Sequence, residues 1–225
     1  MAARVAQRMV AALAAIVLLA SCWLPDKFEV EIRFTSTGAY GITYIGNLIY
    51  APLWGQTARG EITPEAAETQ NQQFLAFLKQ DSSFKSVNPL GRGRYQVEYR
   101  KEDQFAGAHQ SFNFVNRQGA IFRLRTTEDG LVTLAGSGQA KLYAQRFEEV
   151  GLSMEGLVRV TTDAEVLEHN ATFVRASPVP GFTQYDWRLR SLRDDPPRLV
   201  AKLKIDPRTG VPLFGGLSGA VQSDE

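Results

Sequence analysis

Phe28, Val30, Ile32 and Phe34 alternate with Glu29, Glu31, Arg33 and Thr35. Successive side chains of an extended chain point to opposite faces, so this order gives one apolar face and one charged face, the pattern of a half-buried β-strand. Ser36-Thr37-Gly38 then supplies turn chemistry. The chain returns over residues 39–50, with Tyr40, Ile42, Tyr44, Leu48 and Tyr50 on one face and Ala39, Ile45 and Ile49 on the other. Apolar residues on both faces predict a strand buried on both sides.

A helix follows. Thr63 is placed to cap it, Pro64 suits its first position, and Glu65 and Glu68 in the first turns complement the helix dipole, as does Lys79 near the end. Ala67, Phe74, Leu75, Phe77 and Leu78 form its apolar stripe, while the polar run Glu68 to Gln73 reads as the solvated face. Residues 82–93 read as a loop punctuated by Asn88-Pro89 and Gly91-Arg92-Gly93. Strands are expected at 94–104, 110–116, 120–126 and 131–134, joined by turns at Ala106-Gly107, Gln118-Gly119 and Asp129-Gly130. A second helix is expected at 139–150, closed by Gly151, and four more strands at 157–162, 171–175, 182–192 and 198–205.

This order predicts an α+β fold: a mainly antiparallel β-sheet with two helices packed on it, spanning residues 27–214. A division into two subdomains near Gly138 stays open. Residues 215–225, rich in Gly, Ser and acid, are expected to form a disordered tail.

Charge excludes little but is informative. The 25 Lys and Arg stand against 24 Asp and Glu, so nothing in the balance points to nucleic acid. The chain has one cysteine, Cys22, hence no intramolecular disulfide, and its stability must come from packing. Arg4 and Arg8 precede a 12-residue apolar run from Met9 to Ala20, and the small residues Ala20 and Ser21 precede Cys22. A bilayer span needs roughly 20 apolar residues, so the run has the length of a signal-peptide core.

The four residues Leu19-Ala20-Ser21-Cys22 resemble the lipobox of bacterial lipoproteins. The resemblance implies a signal peptide over residues 1–21, cleavage between Ser21 and Cys22, and a diacylglycerol on the Cys22 thiol, with acylation of the new amino group. The chemistry suits the residues: small groups fit a narrow protease site, and a thiolate is nucleophilic enough to form a thioether. The implied address is the bacterial cell envelope. In a Gram-negative cell the absence of aspartate after Cys22, where Trp23 stands, resembles the sorting pattern of the outer membrane's periplasmic face. An uncleaved membrane anchor with a buried cysteine is the alternative. Residues 22–26 form the anchor and a short tether reaching at most about 17 Å at roughly 3.4 Å per residue, which holds the domain close to the bilayer.

The last two strands can be set in register as a hairpin centred on Asp195. Trp187 then faces Leu203, Leu189 faces Ala201, and Arg188 faces Lys202 on the solvent side, with Arg190 and Lys204 nearby and Asp186 as the close acid. Like charges across a ladder favour an anionic ligand, so Arg188, Arg190, Lys202 and Lys204 form a candidate patch for phosphate or acidic lipid. A charged, solvated edge that blocks aggregation is the other reading. Tyr40, Tyr44, Tyr50, Trp54, Phe112, Phe114, Tyr185 and Trp187 are enough rings to line an amphiphile pocket, or to build the core.

Catalytic patterns are sparse. His109 and His169 are far apart and lack a cysteine partner or H-E-x-x-H spacing, so neither a metal site nor a cofactor is expected. Gly136-Ser137-Gly138 and Gly216-Leu217-Ser218-Gly219 do not complete G-x-S-x-G. Glu148-Glu149 and Asp194-Asp195 are adjacent pairs whose side chains diverge.

The run Leu157-Val158-Arg159-Val160-Thr161-Thr162, followed by Val166, Asn170 and Trp187, is similar to the core pattern of LppM-type lipoproteins, which also begin with a lipobox. That family has an α+β envelope domain suspected of binding lipids. Thr162-Asp163-Ala164 stands where the family tends to have a Pro-Gly turn, and no second membrane span is expected after the domain. The expected function is thus that of a membrane-anchored, non-catalytic envelope lipoprotein binding lipid or another amphiphile. A structural or assembly lipoprotein docking onto an envelope protein is the alternative, and an envelope hydrolase built from distant residues a further one.

Overall fold

The chain's alternating segments pair into two sheets. The computed structural model describes residues 23–115 and 119–214; the predicted signal peptide, Cys22 and the tail at 215–225 lie outside the described residues. The larger sheet contains β1 (Trp23–Phe34), β2 (Ala39–Tyr50), β3 (Phe84–Gly91), β4 (Arg94–Gln104), β8 (Gly156–Thr162), β10 (Phe173–Ala176) and β11 (Thr183–Leu189), in the order β10-β11-β8-β1-β2-β4-β3. The smaller contains β5 (Ser111–Phe114), β6 (Phe122–Thr126), β7 (Leu131–Gly136), β9 (Glu165–His169) and β12 (Arg198–Lys202), in the order β5-β6-β7-β12-β9. Among the described residues four helices accompany them: α1 (Ala51–Ala58), α2 (Pro64–Lys79), α3 (Gln139–Leu142) and α4 (Ala144–Glu149).

The α+β class holds, but the larger sheet is mixed. β1 runs parallel to β8, from Phe28 opposite Gly156 to Phe34 opposite Thr162, whereas the other paired strands are antiparallel. Long-range pairing also crosses residue 138: β8 joins β1, and β12 joins β7. The two halves of the chain therefore share both sheets and one core.

Rings hold the sheets together. Phe28 stacks on Tyr44 at 5.8 Å and 6°, and Tyr44 and Tyr99 of the larger sheet each meet Phe114 of the smaller, at 4.8 and 4.9 Å between centroids. Val30, Ile32, Phe34, Val158 and Val160 are at most 1% exposed beside them. Fully burying a side chain of this size contributes about 1.5–3 kcal/mol, so the apolar face of β1 is a main source of stability.

Several expectations are corrected. The tether predicted over 22–26 is instead the start of β1: Trp23, Leu24, Pro25 and Asp26 are all buried, paired with Tyr50 to Asn47. The loop predicted at 82–93 contains β3, in which Val87 is the buried residue. The helix predicted at 139–150 is broken at Tyr143 into α3 and α4. The hairpin centred on Asp195 is not formed: β11 pairs with β8 and β10, and β12 with β7 and β9. α1 and β9 are additions.

α2 forms as its ends predict. The Thr63 side chain accepts from the Ala66 N–H at 3.3 Å, with Pro64 at the first turn and Lys79 in the last. Its polar run is not wholly solvated, because Asn71 is 2% exposed. The Asn71 side chain accepts from the Gly93 N–H at 3.3 Å and its carbonyl from the Tyr95 hydroxyl at 2.9 Å, which fastens α2 to the β3–β4 turn.

Candidate anionic-ligand site

At the end of β11 the strand's alternation places Trp187 in the core and Arg188 outside. Leu189 ends the strand, and Arg190 follows on a turn that the Asp194 carboxylate organises by accepting the Arg190 N–H at 2.6 Å and the Ser191 N–H at 3.1 Å. Arg188, Arg190, Phe173, Trp187, Asp194 and Asp195 border an open depression of about 430 Å³. The Arg188 guanidinium lies 5.5 Å from the centre of the Phe173 ring, which is 53% exposed on the neighbouring strand.

Acids near this depression have partners of their own. The Asp195 carboxylate accepts from Lys141 Nζ at 2.5 Å. Asp186, 6% exposed, accepts from Arg159 Nε at 3.0 Å, from Arg175 at 3.1 Å and from Gln184 Nε2 at 3.0 Å. The hydrogen bond to Asp186 raises the Arg159 pKa further, against the opposing effect of burial. Among the described residues, neither Arg188 nor Arg190 has an ion pair, whereas Arg159, Arg175, Arg193 and Arg198 do.

Only half of the predicted patch is brought together. Arg188 lies opposite Leu157, near the start of β8. Lys202 lies opposite Leu131 and Glu165 in the smaller sheet. The Lys204 backbone donates to the Ser36 carbonyl, and Lys204 Nζ stands 4.0 Å from Asp163, beyond the other end of β8. Cys22 and Ser21, the predicted lipidation and cleavage positions, fall outside the described residues.

Asn170 fixes the back of the depression. Its side-chain oxygen accepts from Trp187 Nε1 and from the Arg198 N–H, both at 2.7 Å, and its amide donates to the Pro196 carbonyl at 3.0 Å. One side chain thus links β11 of the larger sheet to β12 of the smaller. Phe173 and Asp194 are the border residues that sequence reasoning passed over. Phe173 lies in an expected strand but carries no periodic signal, and in the sequence Asp194 stands out only as half of an acidic pair.

The other candidates have structural partners. Tyr40, Tyr44, Phe112, Phe114, Tyr185 and Trp187 are at most 9% exposed and belong to the core. Trp54 donates to the Val150 carbonyl at 2.9 Å, and Tyr50 packs on Phe74 at 3.9 Å. The apolar cleft beside Trp23, Leu24 and Phe122 holds about 30 Å³, against the roughly 300–1,000 Å³ of ligand pockets. His109 is hydrogen-bonded to Glu128 at 2.9 Å, His169 meets the Tyr185 ring at 5.0 Å, and the Ser137 hydroxyl accepts from the Gln139 N–H. Among the described residues, no group of three or more His, Cys, Asp or Glu is arranged to hold a metal ion.

Fold and site together define an α+β protein of two β-sheets packed face to face, with a depression bordered by Arg188, Arg190, Asp194 and Asp195 at one end of the larger sheet. The folded domain of the Mycobacterium tuberculosis LppM protein, determined by NMR, is similar to it at a TM-score of 0.41 and 13% identity, over 83% of this chain and 95% of that one. No family model and no curated protein matches the chain.

Proposed function

We propose that the chain is a membrane-anchored envelope lipoprotein whose domain works without catalysis, recognising the anionic headgroup of a lipid or other amphiphile at the membrane surface. The observation that carries this reading is the pair Arg188 and Arg190, which border one depression and whose guanidinium groups have no ion pair among the described residues. Phe173 supplies an aromatic ring beside them, suited to a membrane interface. Recognition is superficial in this reading, because the rings Tyr44, Tyr99 and Phe114 are packed against one another rather than around an internal pocket.

The predicted anchor fits the same side of the domain. Trp23 to Pro25 lie beside Asp194 and Pro196, and Asp194 also borders the arginine depression. A lipid on Cys22, one residue before Trp23, brings the bilayer to that side, and two or three acyl chains hold it there durably. In a Gram-negative cell the periplasmic face of the outer membrane is the proposed location.

Sedimentation of the protein with phosphatidylglycerol and with phosphatidylcholine vesicles tests the reading. Each arginine near an anionic surface contributes about 1 kcal/mol, so Arg188→Gln with Arg190→Gln should weaken phosphatidylglycerol binding about thirtyfold and leave phosphatidylcholine binding unchanged. Equal binding by the variant and the unmodified chain would end the proposal. The second reading, docking onto an envelope protein, draws on the exposed apolar residues Leu167, Phe173, Val174 and Val179.

A further inference from the structure

Leu167, Phe173, Val174 and Val179 are between 41% and 53% exposed and fall in one short run of chain. This run contains β9, the outermost strand of the smaller sheet, and β10, the outermost strand of the larger. Residues 170–172 alone separate them, so both sheets end on the same side of the molecule. All four residues of β10 are exposed.

The far edge of the larger sheet is guarded. β3 contains Pro89 and two register shifts, and α2 packs against it, devices that prevent edge-to-edge pairing. β10 has no proline and no register shift. Its one charge, Arg175, is held by Asp186 at 3.1 Å.

We propose that β10 pairs with β10 of a second copy of this chain, making a two-fold dimer whose larger sheet continues across the axis. The strand is self-complementary. Antiparallel pairing centred on Val174 sets Val174 against Val174 of the second copy on one face and Phe173 against Arg175 of the second copy on the other. Phe173 then has a guanidinium on each side, its own Arg188 at 5.5 Å and Arg175 of the second copy, an arrangement favoured by the ring's quadrupole. Arg175 arrives already paired with Asp186, which it shares with Arg159, while Glu29 stands 3.8 Å from Arg159.

The interface is small. Stable complexes use roughly 20–30 residues a side, and β10 offers four. Dimerisation therefore belongs to the crowded plane of a membrane, where tethering raises the effective concentration; this confinement rests on the Cys22 anchor, whereas the register does not. The two-fold axis runs normal to the sheet, so both arginine depressions face the same side.

Disulfide trapping of the full chain in isolated membranes tests the register. Val174→Cys should give oxidised dimer at roughly ten times the yield of Leu142→Cys, an exposed apolar position on α3. Co-expressed Phe173→Cys and Arg175→Cys chains should cross-link more than either alone. The unmodified chain, with Cys22 alone, gives the background, and its mass reports whether lipid is attached, so failure of the anchor is read apart from failure of the dimer. A Val174→Cys yield no higher than that of Leu142→Cys overturns the proposal, and so does equal cross-linking of the Phe173→Cys and Arg175→Cys chains alone and together.

Discussion

Asp163 accepts two hydrogen bonds from Ser36, one from its backbone N–H at 2.6 Å and one from its hydroxyl at 2.8 Å. The pair sits where the parallel strands β1 and β8 finish side by side, at Phe34 opposite Thr162. From there the chain turns into β2 on one side and β9 on the other. The Lys204 N–H, just past β12, donates to the Ser36 carbonyl at 2.8 Å, so the smaller sheet is tied to the same point.

Removing this carboxylate leaves the Ser36 donors without their acceptor in a residue only 2% exposed. Hydrogen bonds to a charged acceptor contribute about 1.5–3 kcal/mol each, and water replaces part of that, so Asp163→Ala should destabilise the fold by about 3 kcal/mol. Asp163→Asn keeps one acceptor oxygen and should lose about half as much. Urea denaturation at neutral pH measures both. Lys204 Nζ, 4.0 Å from Asp163 and 65% exposed, contributes little, so Lys204→Ala should leave the midpoint unchanged. Equal stability of all three variants would show that solvent substitutes for Asp163.

The Ser36 turn was legible in the sequence; its partner 127 residues away was not. The same division runs through the molecule. β1, β2, β4 and α2 declare themselves because each carries a local signal: alternation, or a cap followed by an apolar stripe. β3 hides behind Asn88, Pro89 and Gly91, turn residues that an edge strand tolerates. β9 has no buried residue, so there is no periodicity to read. The β11–β12 hairpin fails for a different reason. Several antiparallel partners satisfy the same alternation, and nearness in sequence chose wrongly between them. Thus Arg188 and Arg190 border one depression, whereas Lys202 lies in the smaller sheet and Lys204 beside Asp163. Asn170, singled out only by resemblance, accepts a hydrogen bond from Trp187 Nε1 at 2.7 Å.

Phe28 is held between two glycines, and the space they leave is specific. A Cβ at Gly156 would fall inside van der Waals contact with the Phe28 ring, and one at Gly46 would stand 2.6 Å from the Phe28 Cα and 2.8 Å from the Lys27 carbonyl. The Phe28 ring cannot swing away freely, because it stacks on Tyr44 and touches Phe122 across the sheets. Gly156→Ala should therefore cost about 1–3 kcal/mol, the usual range for overpacking. Gly46→Ala should cost more, since backbone atoms must move and its φ of 153° is one that side-chain-bearing residues rarely adopt. Replacing Phe28 by Leu alongside Gly156→Ala should recover part of the loss. Thermal melts of the three variants give the order, and no recovery would show that Phe28 is not the obstacle.

Alkaline pH should unfold the protein through its tyrosines. Burial raises the pKa of Tyr40, Tyr44, Tyr95, Tyr99 and Tyr185 above the usual 10.0, with Asp103 adding to the effect at Tyr40 and Asp26 at Tyr44. Tyr99 is pushed up to about 12. A phenol with a raised pKa in the fold contributes stability that is complete below pH 10.0, its unfolded value, and is lost as pH rises through the folded value. Tyrosinate absorbance from these residues should therefore appear in one steep step above pH 10.0 that coincides with loss of the circular dichroism of the sheets. Tyr44→Phe separates linkage from packing. It removes a hydrogen bond donated to the Asn47 carbonyl at 2.6 Å, which should cost about 1 kcal/mol at neutral pH. It also removes one linked phenol, so its stability should fall less steeply than that of the unmodified chain as pH rises. Parallel pH curves for the two proteins would mean that Tyr44 ionises without resistance from the fold.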